Sequence, residues 1–209
     1  VGSTIKGYGV SPIHYSNIVR VSRNSDNHQR VTLVAEDIEY KYRNSKNGIK
    51  RFRISEEAGQ LIGIMGGSGV GKSTLLNLLT GKQKPHKGRV LINGYDIHTE
   101  KHAVQGIIGL VPQDDLLFEN LTVYQNMYYN AKLCFGNYNR KQIDLLVRKV
   151  LNDVELWEIQ DLKVGSPLNK VISGGQRKRL NIGLELLREP TILFVDEPTS
   201  GLSSSDSLM

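Results

Sequence analysis

The chain has 209 residues, of which 39% are hydrophobic and 23% charged, with a formal charge of +6 at neutral pH. That length and balance support a real core in one domain, or in one domain with an appendage, and exclude wholesale disorder or a fibrous class. No run approaches the ~18 apolar residues that cross a bilayer, and the N-terminus lacks a basic stretch followed by an apolar one. The single cysteine, Cys134, has no partner for an internal disulfide, and no Cys/His group has zinc-ligand spacing, so a reducing, cytosolic setting is expected. The positive charge is read as a solvated, mildly basic surface, with no nucleic acid as partner.

Residues 1 to about 30 are polar, and Ser22-Arg23-Asn24-Ser25-Asp26-Asn27 has the composition of a loop, so this stretch reads as a linker or lead-in. From Val31 the texture changes. Val31, Leu33 and Ala35, then Ile38, Tyr40 and Tyr42, approach the period-2 alternation of a strand with one covered face. Leu61-Ile62-Gly63-Ile64-Met65 is a continuous apolar run that predicts a strand buried on both faces. It leads through glycines into a helix from 73 to about 79, which stops near Gly81, where a glycine can take the left-handed C-terminal conformation.

Further strands are expected over 88–92, turning at Asn93-Gly94, and over 107–111. Between 121 and 156 the pattern is helical, and Ile143, Leu146, Val147, Val150, Leu151 and Val154 recur at spacings of three and four as a core face. Thr191-Ile192-Leu193-Phe194-Val195 predicts another buried strand, closed by Asp196-Glu197-Pro198. Strands alternating with helices indicate an α/β fold with a mostly parallel sheet flanked by helices, and a helical insert between its halves. The chain begins with Val1 rather than Met and stops at Met209, soon after the last strand, so a fragment of something longer is expected.

Gly66-Gly67-Ser68-Gly69-Val70-Gly71-Lys72-Ser73 matches G-x-x-x-x-G-K-[ST] between an apolar run and an apolar helix. Such glycines let successive N–H groups converge on phosphate oxygens, and the following helix aims its positive end at the same point. Lys72 is placed to reach the β- and γ-phosphates of ATP, and the Ser73 hydroxyl to ligate Mg²⁺. Ser68, Val70 and Thr74 receive backbone or supporting roles.

Phosphoryl transfer also needs a metal to neutralise developing charge and a group to orient or deprotonate water. A parallel sheet would deliver Asp196, at the end of its strand, beside the phosphate loop. Asp196 is assigned to the Mg²⁺ shell and Glu197 to the attacking water as general base.

With these motifs the residues resemble the nucleotide-binding domain of ABC (ATP-binding cassette) transporters. Ile172-Ser173-Gly174-Gly175-Gln176 is similar to the family's signature loop, and it precedes an apolar helix. Physically it is a second helix N-terminus with glycines for close approach and a serine hydroxyl, so it too favours an anion. The resemblance implies a P-loop NTPase fold with an antiparallel β subdomain and a helical signature subdomain at about 114–188, within a cassette spanning 31–209. It further implies head-to-tail dimerisation, with Ser173, Gly174, Gly175 and Gln176 of one copy closing over the ATP held by the phosphate loop of the other.

By the same resemblance Gln113 is the glutamine that contacts Mg²⁺ and water and senses the membrane partner, and Tyr42, or else Tyr40, is the aromatic that stacks on adenine. Finer features resemble the G subfamily, the White/pigment-type exporters of lipids and other apolar compounds: Gln113-Asp114-Asp115, Leu121-Thr122-Val123, the Arg177-Lys178-Arg179 run, and Glu197 through Leu202. Three basic residues in the first turn of a helix oppose its dipole, which is unfavourable unless an acidic partner or phosphate lies near, so an interface, or else a merely solvated turn, is expected there.

Two departures stand out. Ser203 occupies the place of the family's D-loop aspartate, and the switch histidine expected after the next strand is absent because the chain ends first. This leads to the expectation that the chain binds ATP and hydrolyses it poorly. The implied location is the cytoplasmic side of a membrane, beside a transmembrane domain and a second nucleotide-binding domain. The alternative is a soluble ABC ATPase acting on ribosomes or DNA. Those proteins carry a second cassette or a long coiled coil, and neither is visible here.

Overall fold

A computed structural model describes residues 4–7, 10–14, 31–45, 47–166, 169 and 171–198. Strands β1 (Thr4–Gly7) and β2 (Val10–His14), within the stretch read as a linker or lead-in, pair antiparallel.

The next sheet is antiparallel in the order β4-β3-β5-β6, formed by β3 (Thr32–Lys41), β4 (Gly48–Glu57), β5 (Lys87–Ile92) and β6 (Tyr95–Asp96). The apolar pattern of β3 changes phase between Ala35 and Ile38, and the ladder explains it. The register shifts there against β4, and Asp37 sits at φ 49° in the left-handed region, which is a β-bulge. Opposite the bulge, a side chain on Gly88 would put its Cβ 2.2 Å from the Glu36 carbonyl oxygen, so β5 can pass only with glycine there. Arg51 and Arg53 on β4 both donate to the Asp37 carboxylate and hold it well below the usual carboxylate range. Asn93 and Gly94 both have positive φ, the conformation of the tight turn predicted between β5 and β6.

Helix α1 (Lys72–Leu79) packs Leu76, Leu78 and Leu79 against Leu33, Ala35, Val90 and Ile92 of the sheet. It ends at Gly81, whose φ of 78° is the left-handed exit expected from the sequence. After the short α2 (Lys101–Val104), β7 (Ile108–Val111) pairs in parallel with β8 (Ile192–Val195). Phe194 of β8 completes this first core. The α/β class holds, and parallel pairing among the described residues is that of β7 with β8.

Between these two strands lie α3 (Val123–Cys134), α4 (Arg140–Asp153) and α5 (Gly174–Leu186). Each starts in a reciprocal capping box, Thr122 with Gln125, Asn139 with Gln142 and Ser173 with Gln176. They enclose a second core of Met127, Ala131, Ile143, Val147, Leu151, Leu156 and Leu180. The periodic residues singled out on α4 face inward, with Leu146 only half-buried. No described helix is long and apolar enough to cross a membrane.

Two strand expectations need correction. Residues 61–65 form no strand: Leu61 is 100% and Met65 93% exposed. A strand is buried only where neighbours cover it, and among the described residues no backbone hydrogen bond reaches this run. Strand β8 is likewise only partly covered. Phe194 faces the first core and is buried, whereas Leu193, on the opposite face of the strand, lies at the surface.

Candidate functional site

Residues 68–74 curl around the N-terminus of α1 and line a cavity of about 830 Å³, whose walls also include Tyr40, Tyr42, Gln113 and Glu197. Gly69 and Gly71 have φ of 77° and 104°. At Gly71, the N-cap of α1, the left-handed backbone favours glycine, and a Cβ would also stand 3.0 Å from the Ile49 methyl, which would have to give way. Lys72 Nζ donates to the carbonyl oxygens of Gly66 and Gly67, 2.9 Å from each, and is thereby held over the loop.

The second acidic element arrives through β8, whose residue Val195 pairs with Val111 and whose successor Asp196 donates its N–H to the Val111 carbonyl. Ser73 Oγ then donates to Asp196 Oδ1 at 3.2 Å. Glu197 follows in the left-handed region, at φ 46°, and lines the cavity. Gln113, two residues beyond β7, lines the same space and is exposed. Parallel pairing of β7 and β8 thus carries Gln113 and Glu197 to one end of the sheet, where the phosphate loop lies.

These oxygens suit a particular kind of cation. Among the described residues there is no cluster of three His, Cys, Asp or Glu side chains. A hydroxyl, one carboxylate and an amide oxygen are hard donors that leave coordination positions for phosphate and water, the pattern in which Mg²⁺ is held with a nucleotide. Ser73, Asp196 and Gln113 would therefore hold Mg²⁺.

Tyr42 lies beside the loop, 43% exposed, with its hydroxyl 2.5 Å from Thr74 Oγ1 on α1. Its ring meets the Tyr40 ring edge to face at 5.3 Å, and Tyr40 in turn lies 5.1 Å from His86. Tyr40 and Tyr42 thus build one aromatic wall, and Thr74, taken from sequence as merely supporting, anchors it.

The signature residues lie elsewhere. Ser173, Gly174, Gly175 and Gln176 form the first turn of α5 and its cap, and none of them lines the phosphate cavity. Ser173 is exposed; its Oγ accepts from the Gln176 N–H at 3.1 Å, while Gln176 Oε1 accepts from the Ser173 N–H at 2.8 Å.

The basic run that follows is a correction to the expected surface turn or interface. Arg177 and Lys178 are 5% and 8% exposed and point inward. Arg177 grips Asp115 with Nε and Nη2, at 2.9 and 3.0 Å, and donates to the Gly165 carbonyl. Lys178 Nζ donates to the carbonyls of Pro112, Gln113 and Asp196. Arg179 alone turns outward, to Glu155. The adverse dipole was the legible signal: it demanded acidic or acceptor groups, and Asp115 beside Gln113 supplied the first. The 199–206 stretch, with the rest of the Glu197-to-Leu202 motif and Ser203, lies outside the described residues.

Comparison with known proteins agrees with this geometry. The family model described as "ABC transporter" matches residues 49–200. The chain is 42% identical over 153 residues to ABC transporter G family member 25 of Oryza sativa subsp. japonica, covering 71% of this chain and 15% of that protein. It is 38% identical over 164 residues to the ABC-type transporter claG of Penicillium crustosum, covering 78% of this chain and 21% of that protein. Over 187 residues it is 36% identical to a probable ATP-dependent permease of Saccharomyces cerevisiae, covering 84% of this chain and 17% of that protein. It therefore spans about a fifth or less of the length of these relatives. The solved structure of cbiO1 from Clostridium perfringens, part of the ABC transporter complex cbiONQ, superposes with a TM-score of 0.73 at 30% identity, covering 85% of this chain and 70% of that one. A phosphate loop, a carboxylate strand end and a capped glycine signature, read together with these matches, place the chain in the ABC transporter family, as an ATP-binding domain with relatives in the G subfamily.

Proposed function

We propose that this chain binds Mg-ATP on residues 66–74, closes head-to-tail against a second nucleotide-binding domain, and uses hydrolysis to drive a transmembrane domain that exports lipids or other apolar compounds. The observation that carries the reading is the convergence of Lys72, Ser73, Gln113 and Glu197 on one cavity, with Asp196, at the end of the parallel strand pair, hydrogen-bonded to Ser73. Each side chain then has a task. The loop amides and Lys72 bind the β- and γ-phosphates. Ser73, Asp196 and Gln113 hold Mg²⁺, which when bound neutralises charge on the phosphates. Glu197 orients the attacking water and accepts its proton, and Tyr42 offers its ring to adenine.

Dimerisation is supported by position. A capped, exposed helix N-terminus bearing Ser173 favours an anion, yet it lies away from this chain's own phosphate cavity, so the triphosphate it would contact belongs to another copy. Residues 114–188 act as the helical subdomain that presents it. Relatives described as G-family transporters support the membrane setting, and one described as a phospholipid-transporting ATPase of Mus musculus supports the lipid cargo.

The test uses Glu197→Gln, which keeps the shape of the site and removes the base. With Mg-ATP its mass by light scattering should double, and with ADP it should not. A variant that binds ATP and stays monomeric in isolation and beside its membrane domain overturns head-to-tail closure. Failure to bind ATP overturns the whole reading. For the cargo, the whole protein in phospholipid vesicles should move a fluorescent phospholipid between leaflets when given ATP; ATP hydrolysis without such movement overturns the lipid assignment.

A further inference from the structure

Lys178 is a buried ammonium whose hydrogen-bond partners are main-chain oxygens from two separate loops. Its Nζ lies 3.2 Å from the Pro112 carbonyl, 3.5 Å from that of Gln113 and 3.2 Å from that of Asp196. An ammonium has three N–H donors, and three acceptors meet it. Pro112 and Gln113 follow β7, and Asp196 follows β8, so one side chain closes the end of the parallel pair from behind the cavity.

The contact with Asp196 has a specific mechanical effect. Its carbonyl belongs to the peptide that joins it to Glu197, and that peptide turns about ψ of Asp196 together with φ of Glu197. Glu197 holds φ at 46°, a region unfavourable for a non-glycine residue, which persists only where the surroundings over-determine it. Two bonds fix this peptide neighbourhood: the Asp196 N–H on Val111 from one side, and Lys178 on the Asp196 carbonyl from the other. The carbonyls of Pro112 and Gln113 fix the two peptides around Gln113 in the same way.

Lys178 also belongs to the helix that Ser173 caps, five residues further on, a rise of roughly 7.5 Å. Arg177 adds a second tie from that turn to the same loop, through Asp115. The first turns of α5 are thus bolted to the backbone of both groups that face the attacking water.

We propose that Lys178 is a positioning residue for hydrolysis: it holds Glu197 in its left-handed conformation and Gln113 in register with it, and it transmits movement of the Ser173 end of α5 to both. The inference rests on the proposed ATPase site, and it makes the signature helix of each copy a lever on that copy's own water-activating groups.

Three variants test it. Lys178→Met removes the donors and keeps an unbranched stem; Lys178→Arg keeps the donors; Glu197→Gln removes the side chain being positioned. Lys178→Met should bind ATP within about threefold of the parent and turn it over at least tenfold more slowly at saturating ATP. Lys178→Arg should recover turnover to within about threefold. Added to Glu197→Gln, Lys178→Met should cost little more, because both act through one group. Hydrogen exchange gives a reading that needs no turnover: peptides covering 111–116 and 195–198 should exchange faster in Lys178→Met and not in Lys178→Arg, with the α3 peptides unchanged. Exchange accelerated throughout the chain would show a purely structural lysine and overturn the proposal. So would parental turnover and exchange in Lys178→Met, or ATP affinity and turnover falling in proportion. A parent chain that binds no ATP sinks the reading of the site, whereas the exchange experiment still decides whether Lys178 holds the two segments. If Lys178→Met fails to give a cooperative melt, Lys178→Gln, with two donors, should fall between parent and Glu197→Gln in turnover, and a parental value would overturn the proposal.

Discussion

Ser73 and Asp196, 123 residues apart in the chain, meet through a 3.2 Å hydrogen bond from Oγ to Oδ1. The pair ties the start of α1 to the end of β8, and both oxygens are the kind that Mg²⁺ selects. Asp196→Asn should therefore bind ATP in EDTA within about twofold of the parent and lose most of the affinity that Mg²⁺ adds, as read by nucleotide titration with and without the metal. Ser73→Ala should behave likewise. A Mg²⁺ increment that survives both changes would remove them from the metal site.

Tyr42 joins two roles that substitutions can separate. Tyr42→Phe keeps the ring and loses the bond to Thr74, worth about 0.5–1.5 kcal/mol of stability, with ATP affinity preserved. Tyr42→Ala removes the ring as well and should weaken ATP binding roughly 2- to 10-fold, the range for an aromatic stacking partner. Tripolyphosphate, which has no base, should bind both variants like the parent. Equal losses for ATP and tripolyphosphate would mean that the tyrosine shapes the loop and does not touch the base.

The helical core should behave as a unit of its own. Ile143 on α4 is fully buried among Met127, Val147 and Leu180, so Ile143→Ala should cost about 2–5 kcal/mol in urea unfolding. Leu145, on the same helix and 69% exposed, should change stability by less than about 0.5 kcal/mol when replaced by Ala. A small effect at Ile143 would contradict the packing.

His98 gives the chain a pH dependence of known sign. Burial lowers its pKa below the ordinary 6.5, against the opposing pull of Asp96, and its Nε2 is buried without a partner among the described residues. A depressed pKa means that the unfolded chain takes up the proton more readily. Stability is then complete above pH 6.5 and declines as the pH falls below it through the folded-state value. The urea midpoint should drop more between pH 7.5 and 5.5 for the parent than for His98→Gln. Equal drops would assign the acid sensitivity to other groups.

Local rules made much of this legible. The phosphate loop was complete in eight residues, and the phase change in β3 between Ala35 and Ile38 is the bulge itself. The α4 face followed from its spacing. Strand β4 was missed because Ile49 and Phe52 break the alternation that Phe52 and Ile54 resume, the same irregularity seen from the partner strand. The run 61–65 misled for another reason: apolar composition states what a segment can bury, whereas burial depends on neighbours that no local window contains. Arg177 and Lys178 are electrostatically awkward on their helix, and their acceptors, the Asp115 carboxylate and a set of carbonyls, lie 12 to 66 residues away, which no local pattern displays. Their cap, Ser173 with Gln176, could have been read directly, as could those at Thr122 and Asn139.

The bare stretch 61–65 bears on how the molecule behaves at high concentration. Five residues without charge or proline, with open N–H and C=O groups, form a template on which another polypeptide can lay down a ladder. Association by this route would ignore nucleotide, grow with protein concentration and end in precipitate, in contrast to the closed pair proposed to assemble around ATP. A lysine at position 63 or 65 should raise the solubility ceiling while leaving the proposed nucleotide-driven pairing unaffected.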